Sequence, residues 1–467
     1  MNYTHAEVAS LDPQTMRTLC EEYLANNYID PETSERLGVK RGLRNPDGTG
    51  VLAGLTNVCD VVGYKKDQEG HVIPIPGRLI YRGVDINEIV NEAYRNDRFV
   101  FEEVIWLLLF GSLPTQEQLD DFCELLAEHR ALPDGFMDTM NAPSPNIMNK
   151  MQRCVLGLYS YDEHAEDLTL ENILNQSINL IASMPTMMVN AYQMKRRYYD
   201  KQSMFFHMPK PGQSTAEHIL STYRPDQKFT HEEAKLLDMC LLVHADHGGG
   251  NCSTFTARVL SSSGTDTYSA IAAAIGALKG PKHGGANIKV MQMMDDIRAH
   301  VTDPLDEEAM ADYLGRIVDR QAFDQKGLIY GMGHAVYSLS DPRAVVFKSF
   351  VHQLADAKGR SRDFEYYNTI ERLAPQVIAR SAIFIRVSRR TWTSTPALCM
   401  TCWASRWSCT PRSLRLRVSS AGPPTAWRSL STWIRSSARP TRALAAPTII
   451  SRAASGHKGR ASVWKSY

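Results

Sequence analysis

Apolar residues recur every three or four positions over most of this chain, which is the spacing of amphipathic helices. The pattern predicts helices over residues 16–27, 101–110, 116–129, 147–159, 170–184, 186–197, 232–243, 268–278, 287–300, 307–320 and 343–357. A helix content this far above the usual third predicts an all-α fold class.

A short β-hairpin is predicted near the N-terminus. Residues 51–64 and 71–81 alternate between apolar and polar positions and are rich in β-branched side chains, and a lysine-rich turn at 65–70 separates them. Residues 201–225 contain three Pro and one Gly and are predicted to form a loop. Two capping boxes, Thr115 with Gln118 and Thr230 with Glu233, predict helix starts.

The first candidate for chemistry is a histidine in a glycine-rich turn. Residues 280–287 read Gly-Pro-Lys-His-Gly-Gly-Ala-Asn. We expect Gly280 to close the preceding helix in a left-handed conformation, and Pro281 forbids its continuation. His283 would then enter the next helix, where the positive end of the helix dipole favours a neutral imidazole that can donate a hydrogen bond to a developing enolate. The alternative is a histidine in a helix turn without chemistry.

A second pair of histidines follows an apolar helix. Residues 243–251 read Val-His-Ala-Asp-His-Gly-Gly-Gly-Asn, and His244 and His247 are three positions apart, so both could face one side of a helix end. Metal binding is conceivable, but no third ligand follows at a useful spacing, and we predict no metal site. The alternative is a capped helix end with two solvated histidines.

A third glycine-flanked histidine, His334, precedes a helix start. Asp341 is a natural N-cap and Pro342 a natural first helical residue. Arg343 would lie beside the unpaired N–H groups of the first turn, an arrangement suited to a carboxylate. The alternative is that Arg343 pairs with a surface acid. The Gly-x-Gly at 331–333 is not a dinucleotide fingerprint, because no βαβ unit surrounds it and the third glycine is missing.

Charge divides the chain into two parts. Of the 52 basic residues, 14 Arg and 2 Lys lie in residues 380–467, which contain no Asp or Glu; residues 1–379 therefore carry 36 basic against 51 acidic residues. The N-terminus lacks the plan of a secretory signal, and no apolar run is long enough to span a bilayer. Six scattered cysteines in the first part predict reduced thiols in a cytoplasmic protein.

Taken together, the three histidine motifs, in this order and at these intervals, resemble the citrate synthase family. The resemblance covers roughly residues 42–379 and is strongest to the longer bacterial form, which has an Arg-Gly-Leu-Arg-Asn sequence like that at residues 41–45. It implies an all-α homodimer with a large helical domain (1–285), a small domain (286–386) and a short hairpin near the N-terminus. Residues 387–467 would be an aberrant basic tail in place of the C-terminal part of the large domain.

The resemblance also implies a reaction and residue roles. The family condenses acetyl-CoA with oxaloacetate to give citrate and CoA. His283 matches the histidine that stabilises the enol of the thioester, and His334 matches the one that polarises the oxaloacetate ketone. His247 and Arg343 match oxaloacetate-binding residues. Acetyl-CoA is a substrate, and no metal or other cofactor is implied.

One component of the family site is missing. The family removes the methyl proton with an Asp in an Asn-Val-Asp-Phe-Tyr-Ser-Gly motif, and no residue after Arg380 is acidic. Residues 391–403 can be encoded so that a neighbouring reading frame gives Val-Asp-Phe-Tyr-Ser-Gly, which predicts a frameshift near residue 380 and an impaired enzyme. Two alternatives stay open: a 2-methylcitrate synthase that uses propionyl-CoA, and a non-catalytic protein with a basic nucleic-acid-binding tail.

Overall fold

The computed structural model describes residues 12–26, 32, 36, 38, 52–69, 71–280, 286–332, 339–357, 359–380 and 462–465. The helices are α1 (Pro13–Asn26), α2 (Ile86–Arg95), α3 (Phe101–Phe110), α4 (Gln116–Glu128), α5 (Phe136–Met140), α6 (Ile147–Leu158), α7 (Leu170–Tyr198), α8 (Thr215–Tyr223), α9 (His231–His244), α10 (Cys252–Ser261), α11 (Thr267–Lys279), α12 (Ala286–His300), α13 (Glu307–Val318), α14 (Pro342–Ala357) and α15 (Ser361–Arg380). The mainly helical prediction is confirmed.

The predicted hairpin is present and is part of a small sheet. Strands β2 (Cys59–Lys66) and β3 (Val72–Tyr81) pair antiparallel, and β4 (Val84–Asp85) adds a third strand beside β3. The register shifts between Val62 and Tyr64, which is a bulge that bends the ribbon. The predicted first strand is interrupted at Asn57, and its earlier part, β1 (Leu52–Thr56), pairs with β5 (Ser462–Lys465).

The core is apolar and helical, and a buried carboxylate within it organises a helix start. Asp238 of α9 is fully buried and accepts hydrogen bonds from the N–H groups of Val100 and Phe101, at 2.8 and 3.2 Å, where α3 begins. Burial and the nearby Glu102 raise the pKa of Asp238 well above its ordinary value. Asp238 therefore fixes α9 against the most apolar helix of the N-terminal half.

Three local predictions were wrong. Residues 170–198 form one continuous helix, α7, although Pro185 lies inside it. Met184, Met187 and Met188 around it are buried, so packing outweighs the lost backbone hydrogen bond. The predicted 201–225 loop contains α8, which begins with a capping box between Ser214 and Glu217.

The third error concerns the end of α11. Gly280 has φ −57° and ψ 138°, so it caps this helix with an extended backbone and not with a left-handed one. An extended residue before Pro281 agrees with the steric preference that proline imposes on its predecessor.

The capping boxes at Thr115 and Thr230 are confirmed. No helix of the described residues is long and apolar enough to cross a membrane.

Candidate functional site

The loop that carries His247 begins where α9 ends, at His244. The Nδ1–H of His244 donates to the carbonyl of Cys240 at 2.7 Å, and its ring lies 5.5 Å from that of Phe347. His244 is buried, so the interpretation of two solvated histidines was wrong for this one. It belongs to the contact between α9 and α14.

The backbone around His247 is fixed by its neighbours. The carboxylate of Asp246, itself buried, accepts a hydrogen bond from the His247 N–H at 2.6 Å. Gly248 turns the chain with φ +74°, and the side chain of Asn251 donates to its carbonyl at 3.1 Å. Asn251 also caps α10 by accepting from the Thr254 N–H at 3.0 Å. Residues 246–251 therefore form a closed loop that presents a half-buried imidazole.

The helix start that carries Arg343 is built as the sequence predicts. Helix α14 begins at Pro342, and the carboxylate of Asp341 accepts from the Arg343 N–H at 2.9 Å. The same carboxylate accepts from Nε of Arg343 at 3.0 Å and from Nη2 at 2.6 Å. The partner acid is therefore the buried cap of its own helix, and the alternative of a surface ion pair was wrong.

Strand β3 contacts both of these segments. The Tyr81 hydroxyl lies 3.0 Å from the carbonyl of Asp246 and accepts from its N–H at 3.2 Å. Four residues earlier in the strand, the Gly77 N–H donates to the carbonyl of Ser340 at 3.1 Å. The hairpin therefore holds the residue before His247 and a residue just before the Asp341 cap.

Two of the four predicted site residues are thus located. His247 and Arg343 lie on segments that are anchored to the same strand and that adjoin helices in mutual contact through His244 and Phe347. His283 and His334 lie outside the described residues.

Sequence patterns alone did not single out Tyr81, Asp246 or Ser340 as supports of the site. Tyr81 ends an alternating strand and was interpreted only as part of the hairpin. Tyr81 lies just before an Arg-Gly turn at 82–83, where both residues have positive φ.

A separate cavity of about 720 Å³ lies between α4, the 208–214 loop and the start of α8. Its lining includes none of the four predicted site residues, but it contains Arg130, Lys210 and six carboxylates, namely Glu102, Glu103, Asp120, Glu124, Glu128 and Glu217. The excess of negative charge makes this cavity a poor place for the phosphates of a CoA substrate.

Among the described residues, three side chains on the hairpin turn could hold a metal ion. Ligand atoms of Asp67, Glu69 and His71 lie within 4.8 Å of one another on the hairpin turn, where His71 and Glu69 are exposed. The Nδ1 atom of His71 is 3.2 Å from Asp67 and 3.4 Å from Glu69, a distance range typical of surface ion pairs. The turn lies at the opposite end of β3 from Tyr81, and it carries no predicted site residue.

The chain is a mainly helical protein whose hairpin anchors the segments that carry His247 and Arg343. Residues 45–390 match the model of the citrate synthase C-terminal domain. The citrate synthase of Haloferax volcanii is 34% identical over 322 residues, which cover 66% of this chain and 78% of the relative. That of Deinococcus radiodurans is 32% identical over 313 residues, covering 67% and 76%.

Some of the relatives have a different name. A protein called 2-methylcitrate synthase 1, from Corynebacterium glutamicum, is 33% identical over 319 residues, covering 67% of this chain and 76% of the relative.

Solved structures show the same fold. Citrate synthase from Thermoplasma acidophilum, solved in a ternary complex with carboxymethyl coenzyme A and oxaloacetate, superposes with a TM-score of 0.65 at 21% identity and covers 87% of this chain and 94% of its own. The chain belongs to the citrate synthase family, which is a family of acyltransferases.

Proposed function

We propose that this chain binds oxaloacetate through His247 and Arg343, as the oxaloacetate-binding half of a site that condenses it with acetyl-CoA to citrate and CoA. The observation that carries the proposal is the anchoring of both segments to β3, which places a half-buried imidazole and an oriented guanidinium on one scaffold. A dicarboxylate needs such cationic and hydrogen-bonding partners, held before it binds.

Within this proposal the two histidines outside the described residues carry the chemistry. His283 donates a hydrogen bond to the thioester carbonyl as the enol forms, and His334 polarises the ketone of oxaloacetate. Acetyl-CoA takes part as a substrate, and we propose that no metal or other cofactor is required. This assignment rests on the family motifs around the two residues.

The catalytic step itself is impaired in our proposal. Residues 380–467 contain no Asp or Glu, so the family's proton-abstracting Asp has no counterpart there. Loss of a positioned general base costs about 10²–10⁴ in rate. We propose that a reading-frame shift near residue 380 caused this loss, and the nucleotide sequence tests it directly: an intact frame with no family-like alternative would refute the frameshift.

The decisive experiment separates binding from turnover. Calorimetric titration of the full chain with oxaloacetate should show binding, while thiol release from acetyl-CoA should be at least about 10²-fold slower than in a protein with the neighbouring frame restored. Absence of oxaloacetate binding would refute the proposed site. Equal thiol release in the two proteins would refute the impairment.

The second candidate is 2-methylcitrate synthesis from propionyl-CoA, which the similarity to the Corynebacterium protein favours. Thiol release from acetyl-CoA and propionyl-CoA, compared in the frame-restored protein, distinguishes the two reactions. A higher kcat/KM for propionyl-CoA would replace the first proposal by the second.

We further propose a homodimer in the cytoplasm, with no membrane association. The homodimer is the state that the resemblance to the family implies. Sedimentation of the full chain tests this. The alternative of a nucleic-acid-binding protein requires salt-sensitive DNA or RNA binding that is lost when residues 381–467 are removed.

A further inference from the structure

The side chain of Tyr81 is fully buried at the end of β3, and its hydroxyl contacts backbone atoms of the segment that leads to His247. It lies 3.1 Å from the carbonyl of Leu242 and 3.0 Å from that of Asp246, and it accepts from the N–H of Asp246 at 3.2 Å. A hydroxyl has one proton to donate and two lone pairs to accept with, so these contacts use its donor and one acceptor site.

These contacts continue to His247 itself. Tyr81 holds Asp246 at both its N–H and its carbonyl, which restricts rotation of the peptide units on either side. The carboxylate of Asp246 in turn accepts from the His247 N–H at 2.6 Å. A displacement of the Tyr81 hydroxyl is therefore transmitted to the imidazole of His247 through the one residue between them, Asp246.

The opposite side of the site depends on the same strand. Gly77 donates to the carbonyl of Ser340 at 3.1 Å and lies 3.3 Å from its hydroxyl oxygen. Gly77 and Tyr81 are four residues apart in β3, which corresponds to about 13 Å along an extended strand. The strand thus sets the spacing between the segment that carries His247 and the one that carries Arg343.

We propose that Tyr81 is a positioning residue for oxaloacetate binding, which acts through Asp246 on the orientation of His247. The inference rests on the proposed function, since it takes His247 as an oxaloacetate-binding residue. Tyr81 does not touch the substrate in this proposal. Its hydroxyl fixes where the imidazole points before the substrate arrives, and misplacement of a binding group by about 1 Å weakens binding or catalysis strongly.

The test compares Tyr81→Phe with a matched control in the full chain. Tyr366 of α15 is also buried, and its hydroxyl also contacts two backbone carbonyls, those of Val301 and Thr302 at 2.7 and 2.9 Å. Those carbonyls follow α12 and belong to neither segment described above. Tyr366→Phe therefore removes an equivalent buried hydroxyl without touching the segment of His247.

We expect both variants to lower the melting temperature by a similar few degrees, because each removes a buried hydroxyl that hydrogen-bonds to backbone carbonyls. Titration with oxaloacetate should show about tenfold weaker binding for Tyr81→Phe and unchanged binding for Tyr366→Phe. Amide hydrogen exchange should be faster over residues 242–251 only in Tyr81→Phe.

The outcomes are distinguishable. Unchanged oxaloacetate affinity in Tyr81→Phe, with a lowered melting temperature, would overturn the positioning role and leave a structural one. Equal loss of affinity in both variants would also overturn it, because the effect would then come from stability alone. If the unmodified chain does not bind oxaloacetate, the proposed function fails and the positioning role with it, while hydrogen exchange still reports whether Tyr81 holds the loop.

Discussion

The carboxylate of Asp341 holds the guanidinium of Arg343 along one edge, with Oδ1 3.0 Å from Nε and Oδ2 2.6 Å from Nη2. The same carboxylate accepts the backbone N–H of Arg343 at 2.9 Å, so one buried acid both caps α14 and orients the arginine. The side chain of Arg343 is 13% exposed, and the pair is shielded from most of the screening that weakens surface ion pairs.

Replacing Arg343 by Lys should weaken oxaloacetate binding by at least about tenfold. An ammonium keeps the charge but loses the planar fork that pairs with a carboxylate through two parallel hydrogen bonds. Calorimetric titration measures the change. The control is Arg372→Lys, at an exposed arginine of α15 that pairs with Glu307 at 2.7 Å. Equal affinities of the original chain and Arg343→Lys would contradict the binding role.

Replacing His247 by Ala should reduce oxaloacetate affinity by about tenfold or more and change stability little. The N–H that Asp246 accepts belongs to the backbone of residue 247 and is kept in the variant, so the loop retains this hydrogen bond. A lost hydrogen bond to a charged ligand costs roughly 1.5–3 kcal/mol. His352→Ala, at an exposed histidine of α14, is the matched control. A variant that binds oxaloacetate as tightly as the original chain would remove His247 from the site.

Substitution of Gly248 by Ala should destabilise the loop for two reasons. Its φ of +74° disfavours any side chain, and an added Cβ would lie 3.1 Å from Cγ2 of Val61 in β2. Gly264 has φ +79° with open space around it, so Gly264→Ala carries the backbone strain alone. Denaturant unfolding should show the larger loss for Gly248→Ala, by roughly 1 kcal/mol more than for Gly264→Ala. Equal losses of unfolding free energy in the two variants would show that the Val61 side chain moves aside without destabilising the protein.

Stability should fall as the pH is lowered from about 6.5, partly because of His218. Burial and the charge of Arg130 lower the pKa of His218 to about 3. In the unfolded chain His218 binds a proton near pH 6.5, whereas in the folded chain it binds one only near pH 3. The free energy of unfolding therefore falls as the pH is lowered between these two values. The slope from one such group is at most about 1.4 kcal/mol per pH unit.

One hydrogen bond of the neutral His218 ring shows which of its nitrogens carries the proton. The Thr186 hydroxyl donates to the carbonyl of Arg130 at 2.8 Å, so it must accept from Nε2–H of His218, which is 2.9 Å away. His218→Gln should therefore flatten the dependence of unfolding free energy on pH between 5 and 7, measured by urea unfolding. An unaltered slope in His218→Gln would assign the acid sensitivity to other groups.

The sequence predicted those parts of the fold that depend on local pattern. The helices, the hairpin, two capping boxes and the start of α14 at Pro342 follow from periodicity and from short-range hydrogen bonding. The continuity of α7 through Pro185 could not be predicted in this way, because the packing of buried methionines decides it.

The candidate site shows the same division. His247 and Arg343 are candidates because their motifs resemble those of the family, whereas Asp341 was predicted from capping chemistry and is confirmed. Tyr81 was not predicted, because its partners are backbone atoms 161 and 165 residues away in the sequence. A backbone acceptor has no residue identity of its own, so a single sequence carries no signal that connects the two positions.

The bonds made by β3 also determine when the site can be completed during synthesis. Tyr81 must wait for a segment that is made 165 residues later, and Gly77 for one that is made 263 residues later. A hairpin can close in about 1–10 μs, but a ribosome adds only about 5–20 residues per second. The strand can therefore form many seconds before either segment is synthesised. During that interval the side chain of Tyr81, which is buried in the folded protein, must be shielded from solvent by other groups, such as the growing core or a chaperone.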